Sequence, residues 1–441
     1  MRERPPLPPG PYLVMGLRVS GAAAARMLLP HGEVMGSDLG HPGEADGLAE
    51  VGVEVELESD GLELVGRART VVKSPGVPAH APAVVAAHAR GIEVVGELEI
   101  AWRLIEAEFV AVTGTNGKTT AVQLLGAIHR AAGVAVEVAG NVGTALAELA
   151  GTSAEVVVCE ASSFQLEDAT EFAPEAATLL NLTEDHIDRH GSFAAYRDAK
   201  LRVFARQRPE DVAVVPAGLE PGGGQARVVR FARDRGADLA LVDGVLVFAG
   251  KELMRAEEVR LRGAHNLDNA MAAAALALAR GIDPEAVRDA LRTFAGVAHR
   301  LEEVARRRAV LYVNDSKATN TDSARVGVQA FPGGVHLILG GSLKGGDFLA
   351  LREVVRQRCR AAYLIGEAEE RLASDLEGTV ELRRCGTLER AFAAAAEAAR
   401  SGEVVLLSPA CASFDAFRSY EHRGERFREL AREFAEDPDG A

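Results

Sequence analysis

The sequence predicts an α/β protein of three domains, and three observations carry that expectation. Its 441 residues correspond to about three domains of ~150 residues each. Apolar runs of strand length alternate with helical patterns along most of the chain. Residues 113–120, Thr-Gly-Thr-Asn-Gly-Lys-Thr-Thr, follow the apolar run 109–112 and open the helical pattern 121–132, which reads as strand, glycine loop and helix.

Composition narrows the class. Hydrophobic residues make up 48% and charged residues 26%, as expected for a protein with real cores. With 49 Lys and Arg against 64 Asp and Glu, the net charge of −15 gives no general support for nucleic-acid binding, so an anionic ligand needs local cations. Cys159, Cys359, Cys385 and Cys411 form no C-x-x-C pair and fit a reducing compartment. Arg2 and Arg4 precede a proline-rich stretch rather than the apolar core of a signal peptide, and the alanine-rich run 270–279 is too short to span a bilayer. A cytoplasmic protein without membrane insertion is expected.

The first segment, 1–95, opens with the strand-like run 12–15, the turn Gly16-Leu17-Arg18-Val19-Ser20-Gly21 and an alanine-rich helix through Leu29. That is a Rossmann-like beginning with Arg18 where a middle glycine would let a dinucleotide pyrophosphate approach, which disfavours a nicotinamide cofactor. Asp38 ends the next strand about 20 residues on, where an acid often meets a ribose or base. Ser74-Pro75-Gly76 follows another strand; a simple strand-end turn and a ligand loop are equally open readings there.

The second segment, 96–298, contains the glycine loop. Gly114 and Gly117 free the backbone to turn its N–H groups to one point, the helix start adds a positive dipole end, Lys118 supplies a cation, and Thr119 offers a hydroxyl to a phosphate-bound Mg²⁺. Val112 stands where the full Walker pattern has its first glycine, so this is a shorter relative of that triphosphate cradle. Gly140-Asn141-Val142-Gly143 forms a turn, and the run 156–158 points Glu160 out of a strand end, suited to Mg²⁺. A second buried run, 177–182, delivers the polar cluster 183–190, a site-lining or a solvated loop. Ser192 caps a helix whose apolar stripe, Phe193, Tyr196, Val203 and Phe204, also holds Lys200. Lys200 either snorkels or, beside a phosphate and metal site, becomes a neutral amine open to modification. A hairpin around Asp243-Gly244, a helix after 263–269 and a helix begun by Asp283-Pro284 complete this part.

The third segment, 299–441, alternates strands at 311–313, 335–339, 362–365 and 404–407 with helices, a doubly wound α/β pattern with its ligand edge at the strand C-termini. Those ends carry Asn314-Asp-Ser-Lys-Ala-Thr-Asn320, Gly340-Gly-Ser-Leu-Lys344 and Ser408-Pro-Ala-Cys-Ala-Ser-Phe414.

Over nearly its whole length the chain resembles the Mur ligases of peptidoglycan synthesis. The loop from Gly114 to Thr120 is shared with folylpolyglutamate synthases, whereas 314–320 and 408–413 are similar to the D-glutamate-adding branch. The resemblance implies a central P-loop ATP-binding domain between two Rossmann-like domains, no nucleic-acid partner, and a monomer. It implies that Gly114, Thr115, Asn116, Gly117, Lys118, Thr119 and Thr120, with Asn266, Asn269, Arg300 and Asp315, contact ATP. Thr119 and Glu160 would hold one Mg²⁺, and His186 with carbamylated Lys200 a second. Ser20, Asp38, Ser74, Gly76, Asn141 and Ser162 would face UDP-N-acetylmuramoyl-L-alanine, and Lys317, Thr319, Lys344, Ser413, Phe414 and Tyr420 would surround D-glutamate. Lys118, Glu160, His186, Lys200 and Arg300 are the implied catalytic set. Another amino-acid ligase of the superfamily, or a nucleotide-operated switch, is the rival expectation.

Overall fold

A computed structural model describes residues 2–343 and 347–436. Residues through Val259 with His265–Phe294 form one compact unit, and Arg260–Ala264 with the residues from Ala295 onward form another.

The first unit holds two sheets. In the first, β1 (Tyr12–Met15), β2 (Val34–Asp38), β3 (Glu54–Leu57), β4 (Thr70–Lys73) and β5 (Glu93–Gly96) lie in the order β3-β2-β1-β4-β5, all parallel. The turn after β1 works because Gly21 has no side chain: a Cβ there would fall 1.7 Å from the Gly16 carbonyl oxygen, so the helix Val19–Leu28 can lie close against the strand end.

The second sheet comprises β6 (Glu108–Thr113), β7 (Val136–Gly140), β8 (Val156–Glu160), β9 (Ala176–Leu179), β10 (Val212–Pro216), β11 (Arg227–Ala232), β12 (Leu239–Val242), β13 (Val245–Phe248) and β14 (Lys251–Arg255). Their order is β14-β13-β12-β11-β10-β9-β6-β8-β7, with only the last two hairpins antiparallel. The Asp243-Gly244 turn has both residues at positive φ, 50° and 81°, the backbone that a tight two-residue hairpin needs. Parallel strands covered on both faces read as continuous apolar runs, and β6 is buried from Phe109 to Thr113.

One core joins these sheets. Trp102, on the helix Glu97–Leu104 between them, packs edge-on to Phe172 at 5.7 Å, and Phe172 meets Phe109 of β6 at 6.3 Å. The chain ahead of β1 is fastened to the same place. Arg4 donates to the carbonyls of Trp102, Ile105 and Ala107 and covers the rings of Trp102 and Phe109, while Arg2 bonds the Ala173 carbonyl and Asp211, both at 3.0 Å.

In the second unit, β15 (Glu302–Arg307), β16 (Val310–Asn314), β17 (Val335–Gly340), β18 (Cys359–Ile365), β19 (Glu381–Gly386) and β20 (Val404–Leu407) form a sheet ordered β15-β16-β20-β17-β18-β19. It is parallel apart from β15, and apolar clusters cover both faces. All four cysteines are free thiols.

Candidate active site

β6 lies between β8 and β9, so the loop it feeds opens at the C-terminal ends of strands flanked on both sides by parallel neighbours. Gly117 caps the helix Lys118–Ala131 with φ 85°, and a Cβ there would lie 2.2 Å from Asn269 Oδ1; only glycine lets Asn269 sit against the loop. Asn269 in turn donates to Asn266 Oδ1, so both asparagines are held buried beside the phosphate loop. Thr119 and Thr120 are buried in the first helical turn, and Lys118 Nζ bonds the carbonyls of Gly114 and Thr115 at 2.9 Å. The loop is laced to the segment after β9. Asn116 N donates to Asn181 Oδ1, Thr183 N donates to Thr115 Oγ1, and the Tyr196 hydroxyl donates to that same oxygen at 3.1 Å.

Lys200 is 2% exposed, donates to the Gly114 carbonyl at 2.8 Å and lies 4.7 Å from the centre of the Tyr196 ring. Burial, helped by the Lys118 charge, brings its pKa down to about 7. The apolar stripe therefore carries a buried amine against the glycine loop.

Glu160 ends β8 in register with Val112 on one side and Gly140 on the other; a Cβ on Gly140 would fall 2.3 Å from the Glu160 carbonyl oxygen. Its Oε1 accepts from Asn141 Nδ2 at 3.1 Å, and its buried Oε2 has no hydrogen-bond partner. An orphaned carboxylate oxygen costs several kcal/mol of solvation, on the order of that for a buried charge, unless a cation meets it, so the donor set fits a metal ion. Among the described residues no three His, Cys, Asp or Glu side chains are grouped to hold one. His186 takes a left-handed backbone, φ 51°, at the start of the helix Ile187–His190, and its half-exposed ring packs on Phe164 at 4.8 Å.

At the C-terminal edge of the first sheet, two of the residues expected to face a UDP-sugar, Asp38 and Ser74, meet the loop after β1. Asp38 accepts from Leu17 N at 2.7 Å and from Gly40 N at 2.8 Å, and Ser74 Oγ donates to the Gly16 carbonyl at 2.6 Å. Both side chains thus also build the loops that hold them. Ser20 is half-buried in the first helix, and Arg18, Gly76 and Asn141 are exposed. Ser162 belongs to a capping box with Gln165 at the start of the helix Ser163–Leu166.

In the second unit, Asp315 follows β16. It accepts from Ser408 Oγ at 2.7 Å and Leu301 N at 3.2 Å, and burial raises its pKa to about 7. Arg300 stands between two left-handed residues, His299 (φ 62°) and Leu301 (φ 45°), a strained turn of the kind found where a side chain must be aimed. Lys317 Nζ lies 5.3 Å from the centre of the Tyr420 ring, Ser413 is buried, Thr319 is half-buried and Phe414 is 63% exposed. Lys344 lies outside the described residues. Arg423, on the helix Tyr420–Glu436, escaped sequence reasoning. Fully buried, it donates to the carbonyls of Ser316, Cys411 and Ala412 at 2.9–3.2 Å and so ties two of the expected amino-acid loops together. One arginine in so charged a helix gives no signal. Tyr196 was legible only as an apolar residue, with its hydroxyl contact unforeseen.

Two family models match the chain: the Mur ligase middle domain over residues 112–277 and the Mur ligase glutamate ligase domain over 299–411. The UDP-N-acetylmuramoylalanine–D-glutamate ligase of Acidobacterium capsulatum is 42% identical over 443 residues, covering 95% of each chain. That of Koribacter versatilis is 40% identical over 447 residues, covering 96% of this chain and 97% of its own. Among solved structures, the UDP-N-acetylmuramate-alanine ligase of Thermotoga maritima has a TM-score of 0.61 at 18% identity, covering 96% of this chain and 99% of its own, which bears on the fold alone. With both family models matched and identity of about 40% over nearly the full length of each relative, the chain belongs to the Mur ligase family.

Proposed function

We propose that the protein joins D-glutamate to UDP-N-acetylmuramoyl-L-alanine at the expense of ATP, a step of peptidoglycan precursor synthesis. The observation that carries this reading is identity of 40–42% over at least 95% of the chain to ligases named for that reaction. An amide does not form from a carboxylate and an ammonium ion in water without activation. The γ-phosphoryl group of ATP therefore passes to the L-alanyl carboxylate, giving an acyl phosphate and ADP; the D-glutamate amine attacks the acyl carbon, phosphate leaves, and the amine proton goes to solvent.

Lys118 and the amides at the start of the helix Lys118–Ala131 hold the transferring phosphoryl group, and Arg300 meets the charge that spreads over its oxygens. Asn266, Asn269 and Asp315 orient the nucleotide. Thr119, Glu160, His186 and a carbamylated Lys200 are the residues that would hold Mg²⁺, which neutralises phosphate charge when bound. The glycine loop Gly114, Thr115, Asn116, Gly117 and Thr120 keeps the backbone close to the phosphates. Ser20, Asp38, Ser74, Gly76, Asn141 and Ser162 receive the UDP-sugar, while Lys317, Thr319, Lys344, Ser413, Phe414 and Tyr420 receive D-glutamate. Two lysines answer the two carboxylates of D-glutamate in a chain that is otherwise acidic.

The reading divides the chain into a UDP-sugar domain at 1–95, an ATPase domain at 96–298 and an amino-acid domain at 299–441, working as a cytoplasmic monomer. No helix among the described residues is long and apolar enough to cross a membrane. Phosphate release measured with UDP-N-acetylmuramoyl-L-alanine and a panel of amino acids tests the assignment. D-Glutamate is expected to exceed L-glutamate and D-alanine by about 100-fold or more, because fixing both carboxylates places only one hand's amine in line. Efficient use of L-lysine, diaminopimelate or L-glutamate would return the protein to the wider ligase superfamily.

A further inference from the structure

The loop after β4, residues 74–77, is tied to the segment that carries His186 by a compact set of charges. Lys73, only 1% exposed, donates to the Val77 carbonyl at 2.9 Å and pairs with Asp168 at 2.7 Å and Glu167 at 3.8 Å. Arg189 donates to that same Val77 carbonyl at 3.2 Å and also to Glu167 Oε1. Its guanidinium lies 4.7 Å from the centre of the Phe164 ring, which also meets the rings of His186 at 4.8 Å and His190 at 5.6 Å. Arg189 therefore grips the loop from its far end while its flat face helps fix the aromatic ring on which His186 rests. A planar guanidinium can make a two-pronged bond and stack at once, which an ammonium cannot. Cations from β4 and from the helix Ile187–His190 converge on Glu167, so displacement of either loop disturbs the other through a short, partly buried set of contacts.

We propose that Arg189 is a positioning residue that couples the UDP-sugar loop 74–77 to His186, so that the UDP-sugar and the Mg²⁺-nucleotide each tighten the other's binding. The inference rests on the functional reading above, which places these ligands at the two loops. Coupling of this kind is reciprocal: whatever factor the nucleotide adds to sugar affinity, the sugar adds to nucleotide affinity.

Calorimetric titration of UDP-N-acetylmuramoyl-L-alanine into the full chain, with and without Mg²⁺ and a non-hydrolysable ATP analogue, reads the effect without turnover. The parent is expected to show a ratio of affinities of about 5-fold or more, within the usual range of such coupling. In Arg189→Met the ratio should fall to near one, while the affinity for each ligand alone changes by no more than about 3-fold. Glu167→Gln keeps the side-chain volume and removes the anchoring charge; it should lower the ratio as well, and it decides the matter if Arg189→Met does not fold. A parent that binds both ligands with a ratio of one, or folded variants that keep the parent's ratio, overturns the inference and leaves the ligase assignment standing. A parent that binds no UDP-sugar overturns both.

Discussion

Lys200 shows how one side chain can be prepared for chemistry by its surroundings. Its amine is buried, bonded to a single loop carbonyl and close to a second lysine, so much of it is neutral near pH 7, the form that can take up CO₂. A carbamate there would exchange an unfavourable cation for an anion able to face a metal alongside Glu160. Lys200→Ala should lose activity by about 100-fold or more, and short carboxylates added to the assay should restore part of it. Steady-state rates with and without acetate or formate check this; full activity in the variant would exclude the role. Lys200 was legible because a lysine is out of place on an apolar helical face. Glu160 was legible because a carboxylate terminates a β-branched run. Arg423 was not, since its burial arises from loops far apart in the chain, and neither was the use of Asp38 and Ser74 oxygens to build their own loops.

The helix Glu97–Leu104 carries a similar lesson at the level of elements. Glu97 opens it wholly buried, accepting from Ala147 N at 2.7 Å, and burial raises its pKa to about 7 from an ordinary 4.5. Between those two values the folded chain keeps the proton and the unfolded chain has lost it, so stability falls as pH rises through that window, and the full cost is present above it. Glu97→Gln removes the titration while keeping the shape. Its stability relative to the parent, read from thermal melts, should therefore climb between pH 5 and pH 8, by up to about 3 kcal/mol. Parallel pH slopes for the two proteins would disprove this. Strands with continuous apolar runs, β1, β6, β8, β17 and β20, were read from the sequence. β15 was not, because Glu-Glu-Val-Ala-Arg-Arg at a sheet edge obeys pairing with β16 rather than any apolar pattern. β19, at the other edge of that sheet, failed to register for the same reason, and β11, inside its own sheet, because two arginines interrupt its apolar run.

For the whole molecule, the order of domains was legible from alternating strands and helices, but the closeness of the first two sheets was not. They share one core through Trp102, Phe109 and Phe172, whereas the second unit has its own. Heat should therefore not unfold the chain in a single all-or-none step. A calorimetric enthalpy larger than the van't Hoff value is expected, and equality of the two would refute it. The arginines ahead of β1 extend the point. Because Arg4 and Arg2 grip the stretch beside Trp102 and the starts of β9 and β10, and the chain returns there after β5, residues 12–96 are stapled at both ends to one foundation. A loop of that length pinned at its ends has less freedom to gain on local melting, a restraint that grows only slowly with length. Since the Arg4 half of the staple is made mostly to backbone carbonyls and aromatic faces, and its ion pair with Glu175 is largely shielded from solvent, added salt should loosen it far less than it loosens the pairs at the protein's surface.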